Sequence, residues 1–424
     1  MNNFNGGTNT MKKLVSVVLV LLVLVSFAFA GGDAEKTGKK TVTFFWALYD
    51  GLTEDYRQDL EKGFAAANPN IEVDIVPIAW DQMNDKITTS LAGGDAPELS
   101  VIGTRWLLEF MSMDAVEPVD KYVSKSTLDN IFDGAKEAMI GGKLMGLPVV
   151  AGARLLTINN NLTDVVPKTM EEMREAAIQI EKDHPDAYGL IMPGKKDTEA
   201  TDFAYYFYSA GGDFFETKAD GSYGKCTINS EAGVKAATFM KKLALEDEVV
   251  QNGFLSQARM DSHPVFYSGK AGFVMIGAWV KSAMEQAGAD FPVTYAMIPP
   301  FKGHDPAPLI ITDSIAFFSG AENLDAAGTF IDFFYQDEWK AKFDEQVGFP
   351  PITKTAAKLP QFQNELYDTL NAAAAVAKPW PLVEGWAEIG DVIDDMTSEI
   401  LLERKTPKQA VDDAAKKIDQ IRGM

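Results

Sequence analysis

Residues 41–102 read TVTFFWALYD GLTEDYRQDL EKGFAAANPN IEVDIVPIAW DQMNDKITTS LAGGDAPELS VI, and this stretch decides the fold. Thr41–Ala47 is dense in β-branched and aromatic residues, which predicts a buried strand. Tyr56, Leu60 and Phe64 then recur at i, i+4 and i+8, one face of a helix. Asn68-Pro69-Asn70 stops that helix. Ile71, Val73 and Ile75 alternate with Glu72 and Asp74, as in a strand with one buried face. Met83, Ile87 and Leu91 mark a second helix, closed by Gly93-Gly94. Leu99–Ile102 supplies a third strand. Strand, helix, strand, helix, strand predicts a parallel sheet with crossover helices. Ligands of such sheets sit at the carboxyl ends of the strands. The loops Leu48–Leu52, Pro77–Asp81 and Gly103–Trp106 are therefore the first candidates for a site.

The chain continues to 424 residues, long enough for two or more domains. Apolar residues make up 46% and charged residues 24%, an ordinary globular mix. The formal net charge is -22, which favours solubility and speaks against nucleic acid as a partner, since phosphates need a basic face, while leaving open the sign of charge inside a cleft. Lys12 and Lys13 precede an apolar run, Leu14–Ala30, that closes on Ala28-Phe29-Ala30, the small-x-small pattern of an export cleavage site. Residues 1–30 thus read as a signal peptide and 31–40 as a polar linker. Met11 is an alternative start, because Asn2–Thr10 has no targeting character. Loss of Lys12 and Lys13 takes the formal charge to -24. The single cysteine, Cys226, lies far from the apolar run. Neither a lipid anchor there nor an intrachain disulfide is available. The expected product is a periplasmic monomer that does not span the membrane once cleaved.

Further along, Met170–Lys182 follows Pro167, and Glu231–Glu246 follows Ser230, a good helix cap. Gly272–Gly277 is a short apolar strand leading to Trp279, and Leu309–Phe318 is a longer one. Helices are predicted at 324–346, 364–377, 386–402 and 407–421, the last with Thr406 as cap and Pro407 in its first turn. No dinucleotide fingerprint, phosphate loop or nucleophile elbow occurs. His184, His263 and His304 are scattered, without metal-ligand spacing, and the first two precede prolines as turn residues do. No cofactor and no metal are expected. The abundant carboxylates leave a glycosidase pair possible on composition alone.

Several motifs occur in order. They include Leu91-Ala92-Gly93-Gly94-Asp95-Ala96-Pro97-Glu98, Gly142-Lys143-Leu144-Met145-Gly146-Leu147-Pro148 and Pro167-Lys168-Thr169. Ala210-Gly211-Gly212-Asp213-Phe214-Phe215 and Asn229-Ser230-Glu231-Ala232-Gly233 follow. The last is Ser268-Gly269-Lys270-Ala271-Gly272-Phe273-Val274-Met275-Ile276-Gly277-Ala278-Trp279. In this order the chain resembles the family 1 extracellular solute-binding proteins, the group that includes maltodextrin-binding proteins. The resemblance implies an α/β, two-lobed periplasmic-binding-protein fold, each lobe a mostly parallel sheet flanked by helices. It assigns 41–151 and 299–352 to an N-terminal lobe, and 155–295 and 358–424 to a C-terminal lobe. Crossings are expected near Ala151–Leu155, Tyr295–Pro300 and Ile352–Lys358. A ligand, a mono- or oligosaccharide, would be enclosed between the lobes by hinge closure and handed to the permease subunits of an ABC importer.

Sugars present ring hydroxyls and flat C–H faces, which proteins read with planar polar groups and aromatic platforms. The cleft loops supply Trp46 and Asp50, Trp80 and Asp81, and Arg105 and Trp106. By the resemblance, Trp279 sits where the family places a sugar-stacking tryptophan, Trp386 matches a late cleft tryptophan, and Asp50 matches a cleft aspartate. Trp46 and Trp279 have core packing as their plain alternative, and Asp81 has helix capping. Trp339 reads as structural and Trp380 as exposed or at the rim. The maltodextrin-binding relatives carry an acidic residue where this chain has Gly152, and Arg154 stands beside it at a crossing. With Arg105 and Arg154 near the cleft, an acidic sugar or a phosphorylated polyol stays open as ligand, since a guanidinium fork suits carboxylate and phosphate. A secreted glycoside-processing enzyme and a sensor partner docking a membrane receptor are the competing classes.

Overall fold

Alternation and capping in the opening stretch produce the expected elements. In the computed structural model, which describes residues 38–49, 51–195, 201–219 and 221–424, Lys40–Ala47 is a strand, Glu54–Ala67 a helix, Ile71–Ile78 a strand, Trp80–Gly93 a helix and Leu99–Gly103 a strand. Lys40–Ala47 pairs in parallel with both Ile71–Ile78 and Leu99–Gly103. Thr53 caps the first helix, its hydroxyl accepting from the Tyr56 amide. Tyr56, Leu60 and Phe64 are buried on the face that their spacing predicted.

Two sheets carry the two lobes. In the first, the order is Lys378–Pro379, Leu309–Phe318, Leu99–Gly103, Lys40–Ala47 and Ile71–Ile78, with Val116–Glu117 and Leu147–Ala153 also on Leu309–Phe318. The second runs Val293–Met297, Leu155–Asn159, Ala271–Ile276 and Tyr188–Ile191. The two-lobed α/β architecture is as expected, but the sheets are mixed rather than mostly parallel. Leu309–Phe318 runs antiparallel to Leu99–Gly103 and to Leu147–Ala153, and Leu155–Asn159 runs antiparallel to both its neighbours. A strand that enters one lobe directly from the other arrives without a crossover helix, so nothing imposes the parallel direction. Leu147–Ala153 lies in the first sheet and Leu155–Asn159 in the second, so the chain changes lobe at Arg154. The return falls between Met297 and Leu309. Lys378–Pro379, assigned by resemblance to the C-terminal lobe, forms the edge of the first sheet, paired in parallel with Leu309 and Ile310.

The predicted helix 324–346 is two helices, Leu324–Phe334 and Asp337–Val347. Tyr335 at the break sends its hydroxyl to the Pro148 carbonyl, and Gln336 is extended at the cap of the second. The last helix, Pro407–Ile421, has Thr406 and Gln409 as a reciprocal capping box. His263 is no turn residue but lies buried inside the helix Arg259–Tyr267. Cys226 is buried and unoxidised, and burial pushes its thiol up to about 12. No helix among the described residues is long and apolar enough to cross a membrane. The predicted signal peptide lies outside the described residues.

Trp46, expected at the cleft, is instead the centre of the first lobe's core. Its ring is 2% exposed and meets Phe44, Phe334 and Phe343 edge-on at 4.9, 5.3 and 5.5 Å. Phe334 and Phe343 come from the two helices that cover the sheet, so Trp46 joins three elements. Trp46→Ala should lower the unfolding free energy of the unliganded protein by about 3–5 kcal/mol. Urea denaturation of the variant measures this, and a loss under about 1 kcal/mol would return the residue to the candidate site.

Candidate functional site

The strand ends of the first lobe gather one wall. Trp80 opens the helix that follows Ile71–Ile78, and Arg105 and Trp106 occupy the short helical turn Thr104–Trp106 after the third strand. The two indoles stack at 5.2 Å with 22° between planes, and Tyr49 stacks on Trp80 at 6.4 Å. The Arg105 guanidinium stands 4.9 Å from the Trp106 ring and 5.5 Å from Trp80. Such a cation over an indole is favoured most where water is excluded, and Arg105 is 5% exposed.

Two carboxyl groups complete this wall, and neither was among the residues expected from the sequence. Asp313 accepts a hydrogen bond from the Tyr49 hydroxyl at 2.9 Å and lies 3.9 Å from the Arg105 guanidinium. Burial first, and then the Asp313 charge, raises the Tyr49 hydroxyl well above its ordinary range. Beside it, Thr104 and Ser314 share a buried hydroxyl contact of 2.7 Å. The signal for Asp313 was available: Thr312-Asp313-Ser314 is a polar interruption in the apolar strand Leu309–Phe318. A buried strand keeps such residues only with partners. Glu137 reaches Thr312 by a side-chain hydrogen bond. Loss of hydration raises its carboxyl to about 7, against the smaller opposing effects of Thr312 and Arg105. It comes from the stretch before Met139, where no motif pointed to it.

The second wall is built around Trp279. This residue caps the helix Val280–Gln286 directly after the strand Ala271–Ile276, and it is 8% exposed. Its indole carries the Arg154 guanidinium at 4.5 Å and has Arg259 at 6.0 Å. Phe349, from the segment after the helix Asp337–Val347, tilts against it at 5.9 Å and touches Tyr49 at 6.2 Å. Phe349 thus joins the two walls. It also accounts for Gly152: a Cβ there would lie 2.8 Å from the Phe349 ring, so the ring occupies the space a side chain would need. Gly348 holds φ +73°, and a Cβ on it would meet the Ala278 carbonyl at 2.7 Å. Backbone therefore meets backbone at the seam. The helix Trp386–Leu401 of the second lobe approaches the turn Thr104–Trp106 of the first, and Tyr208 donates to the Pro379 carbonyl at 2.9 Å.

Of the residues expected at the cleft, Trp80, Arg105, Trp106, Arg154 and Trp279 come together at this seam. Trp386 does not present a face to it. Its side chain is fully enclosed, with Phe214 at 5.6 Å and Trp380 at 5.1 Å. Trp380, expected at the rim, is 3% exposed in the same cluster, because Phe214 and Trp386 cover it. Asp50 lies outside the described residues. Asp81 falls in the first turn of its helix, whose cap position is held by Ala79. No cluster of metal-ligating side chains is present among the described residues.

Glu137 has a pH consequence. A free glutamate titrates near about 4.3. With the folded value raised to about 7, the unfolded chain releases its proton first, so stability falls as pH rises through that window. Glu137→Gln removes this dependence. The variant should gain melting temperature over the parent at pH 8 and show little difference at pH 4. An equal difference at both pH values would show that the carboxyl is not held this way.

The sequence profile of the bacterial extracellular solute-binding proteins matches residues 49–341. A putative binding protein of Brucella abortus is 28% identical over 95% of this chain and 96% of its own length. The structure superposes on an ABC transporter solute-binding protein of Thermotoga lettingae bound with α-D-tagatose, with TM-score 0.81 at 22% identity, covering 90% of this chain and all of the other. The maltose-bound MalE3 of T. maritima gives TM-score 0.80 at 22% identity, over 90% and 99% of the two chains. The profile match extends over more than half the sequence, and the chain belongs to the bacterial extracellular solute-binding protein family.

Proposed function

We propose that this protein binds a carbohydrate between its lobes and presents it to the membrane permease of an ABC importer. The observation that carries the reading is the seam itself. Stacked aromatic rings and planar charged groups from both lobes converge there: Trp80, Trp106, Arg105 and Asp313 on one side, Trp279 and Arg154 on the other. Flat rings suit the C–H faces of a sugar, and carboxylate and guanidinium groups suit its hydroxyls. The likeness in fold to proteins holding tagatose and maltose supports the same choice. Family membership supports a binding role in place of a hydrolytic one.

Export belongs to the same proposal. Leu14–Ala30 directs the chain across the inner membrane, cleavage after Ala30 releases it, and the product works as a soluble monomer without lipid. Closure about the crossings at Arg154 and between Met297 and Leu309 encloses the ligand.

A thermal-shift screen of the exported protein against mono-, di- and oligosaccharides tests the reading. Ligand at about 100 times its dissociation constant adds about 2.7 kcal/mol of stability. The absence of any shift across neutral, acidic and phosphorylated sugars would remove the carbohydrate assignment. Trp279→Ala should then weaken the sugar found by about ten- to a hundredfold, as removal of a large apolar contact does. Calorimetric titration beside the melting curve of the unliganded variant separates this from core damage. Unchanged affinity in a destabilised variant would place Trp279 in the core.

A further inference from the structure

Arg154 stands at the first passage of the chain between the two sheets, and its backbone amide is tied to the Leu309 carbonyl at 2.8 Å, where the first sheet resumes. Its side chain is 4% exposed. Gly277 leaves it room: a Cβ there would lie 2.6 Å from Nη1. The guanidinium rests on Trp279 and bonds the Tyr205 hydroxyl, while its Nε and Nη1 are buried without an acceptor. None of the ion pairs among the described residues includes it. The Asp313 carboxylate, whose charge reaches it, already accepts from Tyr49 and lies closer to Arg105. Arg259 brings a second positive charge to the same indole. Burial first, and then the two arginines, hold His263 well below its ordinary range, so it is neutral and adds no further positive charge.

A buried guanidinium with donors to spare is stabilised by further acceptors, and an anionic one offsets its charge as well as bonding its hydrogens. We infer that the second-lobe wall is an anion subsite, with Arg154 as its centre and Arg259 beside it, and that the physiological ligand is a polyhydroxylated molecule carrying a carboxylate or phosphate group. This inference rests on the carbohydrate reading and narrows it to the acidic members of that class. The anionic oxygens take the Nε and Nη1 hydrogens of Arg154, charge-assisted bonds of the stronger kind. The neutral part of the ligand faces the Trp80–Trp106 wall and Asp313. Burial already lowers the Arg154 guanidinium to about 10, which agrees with a cation held without its partner.

The test uses matched ligands on the full exported protein: glucose with glucuronate and glucose 6-phosphate, galactose with galacturonate, and glycerol with glycerol 3-phosphate. In each productive set the charged member should bind about a hundredfold tighter than the neutral one, the scale for one desolvated charge pair. The uronate and phosphate arms tell which anion is used. Arg154→Met should abolish that preference while the unliganded melting temperature holds or rises, since it removes a buried unpaired charge. The comparison on the parent protein needs no variant to fold. Equal affinity for charged and neutral members would overturn the anion subsite and leave carbohydrate binding standing. Retention of the preference in Arg154→Met would overturn it as well. Binding of no compound in any set, together with no shift from any sugar in the thermal-shift screen, would overturn both.

Discussion

The burial of one permanent charge constrains the rest of this structure. Arg154 cannot shed its proton at any working pH, and it is fixed by its backbone at the point where the chain leaves the first sheet for the second. Everything packed around it accommodates that charge. Trp279 offers a ring face, Gly277 withdraws its side chain, and Tyr205 gives an acceptor oxygen. Phe349 closes the approach from Gly152, whose missing side chain makes room for the ring.

The distribution of charge over the molecule sharpens the contrast. The chain as a whole is strongly acidic, with formal charge -22. An outer field of that sign would oppose the entry of an anion, but at physiological ionic strength it decays over about 8 Å. The pair Arg154 and Arg259 acts inside the seam, where screening is weak and the effective dielectric is lower. On the first wall the balance differs. Arg105 is matched by Asp313, and loss of hydration raises the Glu137 carboxyl to about 7, well above its ordinary range. The two walls therefore offer different chemistry, one a matched ion pair among hydrogen-bonding groups, the other two guanidinium groups around one indole.

The legible part of the fold was the part set by short-range periodicity. Strand, helix and cap positions in the first lobe followed from alternation at Ile71–Ile75, from the Tyr56, Leu60 and Phe64 spacing, and elsewhere from residues such as Ser230 and Thr406. The direction of strands after a lobe crossing was not legible, because direction is set by where the chain comes from in space. Nor was the destination of each tryptophan. Trp46 and Trp80 both stand near strand ends, yet one enters a core of phenylalanines and the other stacks at the seam. Phe44 and Trp46 lie two apart on one strand and share a face, and that period placed Trp46 inside. Glu137 had no local pattern to reveal it. Its role comes from Thr312, distant in sequence, meeting it in space.

Closure of the seam and occupation of the site act on the same atoms. Gly348 brings the segment after Asp337–Val347 against the backbone of Ala278 and Trp279, and it can do so because it lacks a Cβ and holds a positive φ. Phe349, the next residue, then covers Trp279, which carries Arg154. A closed seam with no anion holds the Arg154 donors away from both water and acceptor. An open seam would return them to water. Under the closure proposed above, a ligand that supplies the acceptor would remove the cost of closing, and this one contact would carry its differential affinity for the two states. A neutral ligand would have to obtain the same shift from stacking and hydroxyl contacts alone. Shifting such an equilibrium from one state to the other requires about 5.5 kcal/mol of differential binding. On the anion-subsite proposal, a charge-assisted pair at Arg154 would supply a large part of that from a single side chain, so the crossing arginine, more than the tryptophans around it, would set which solute this protein retains.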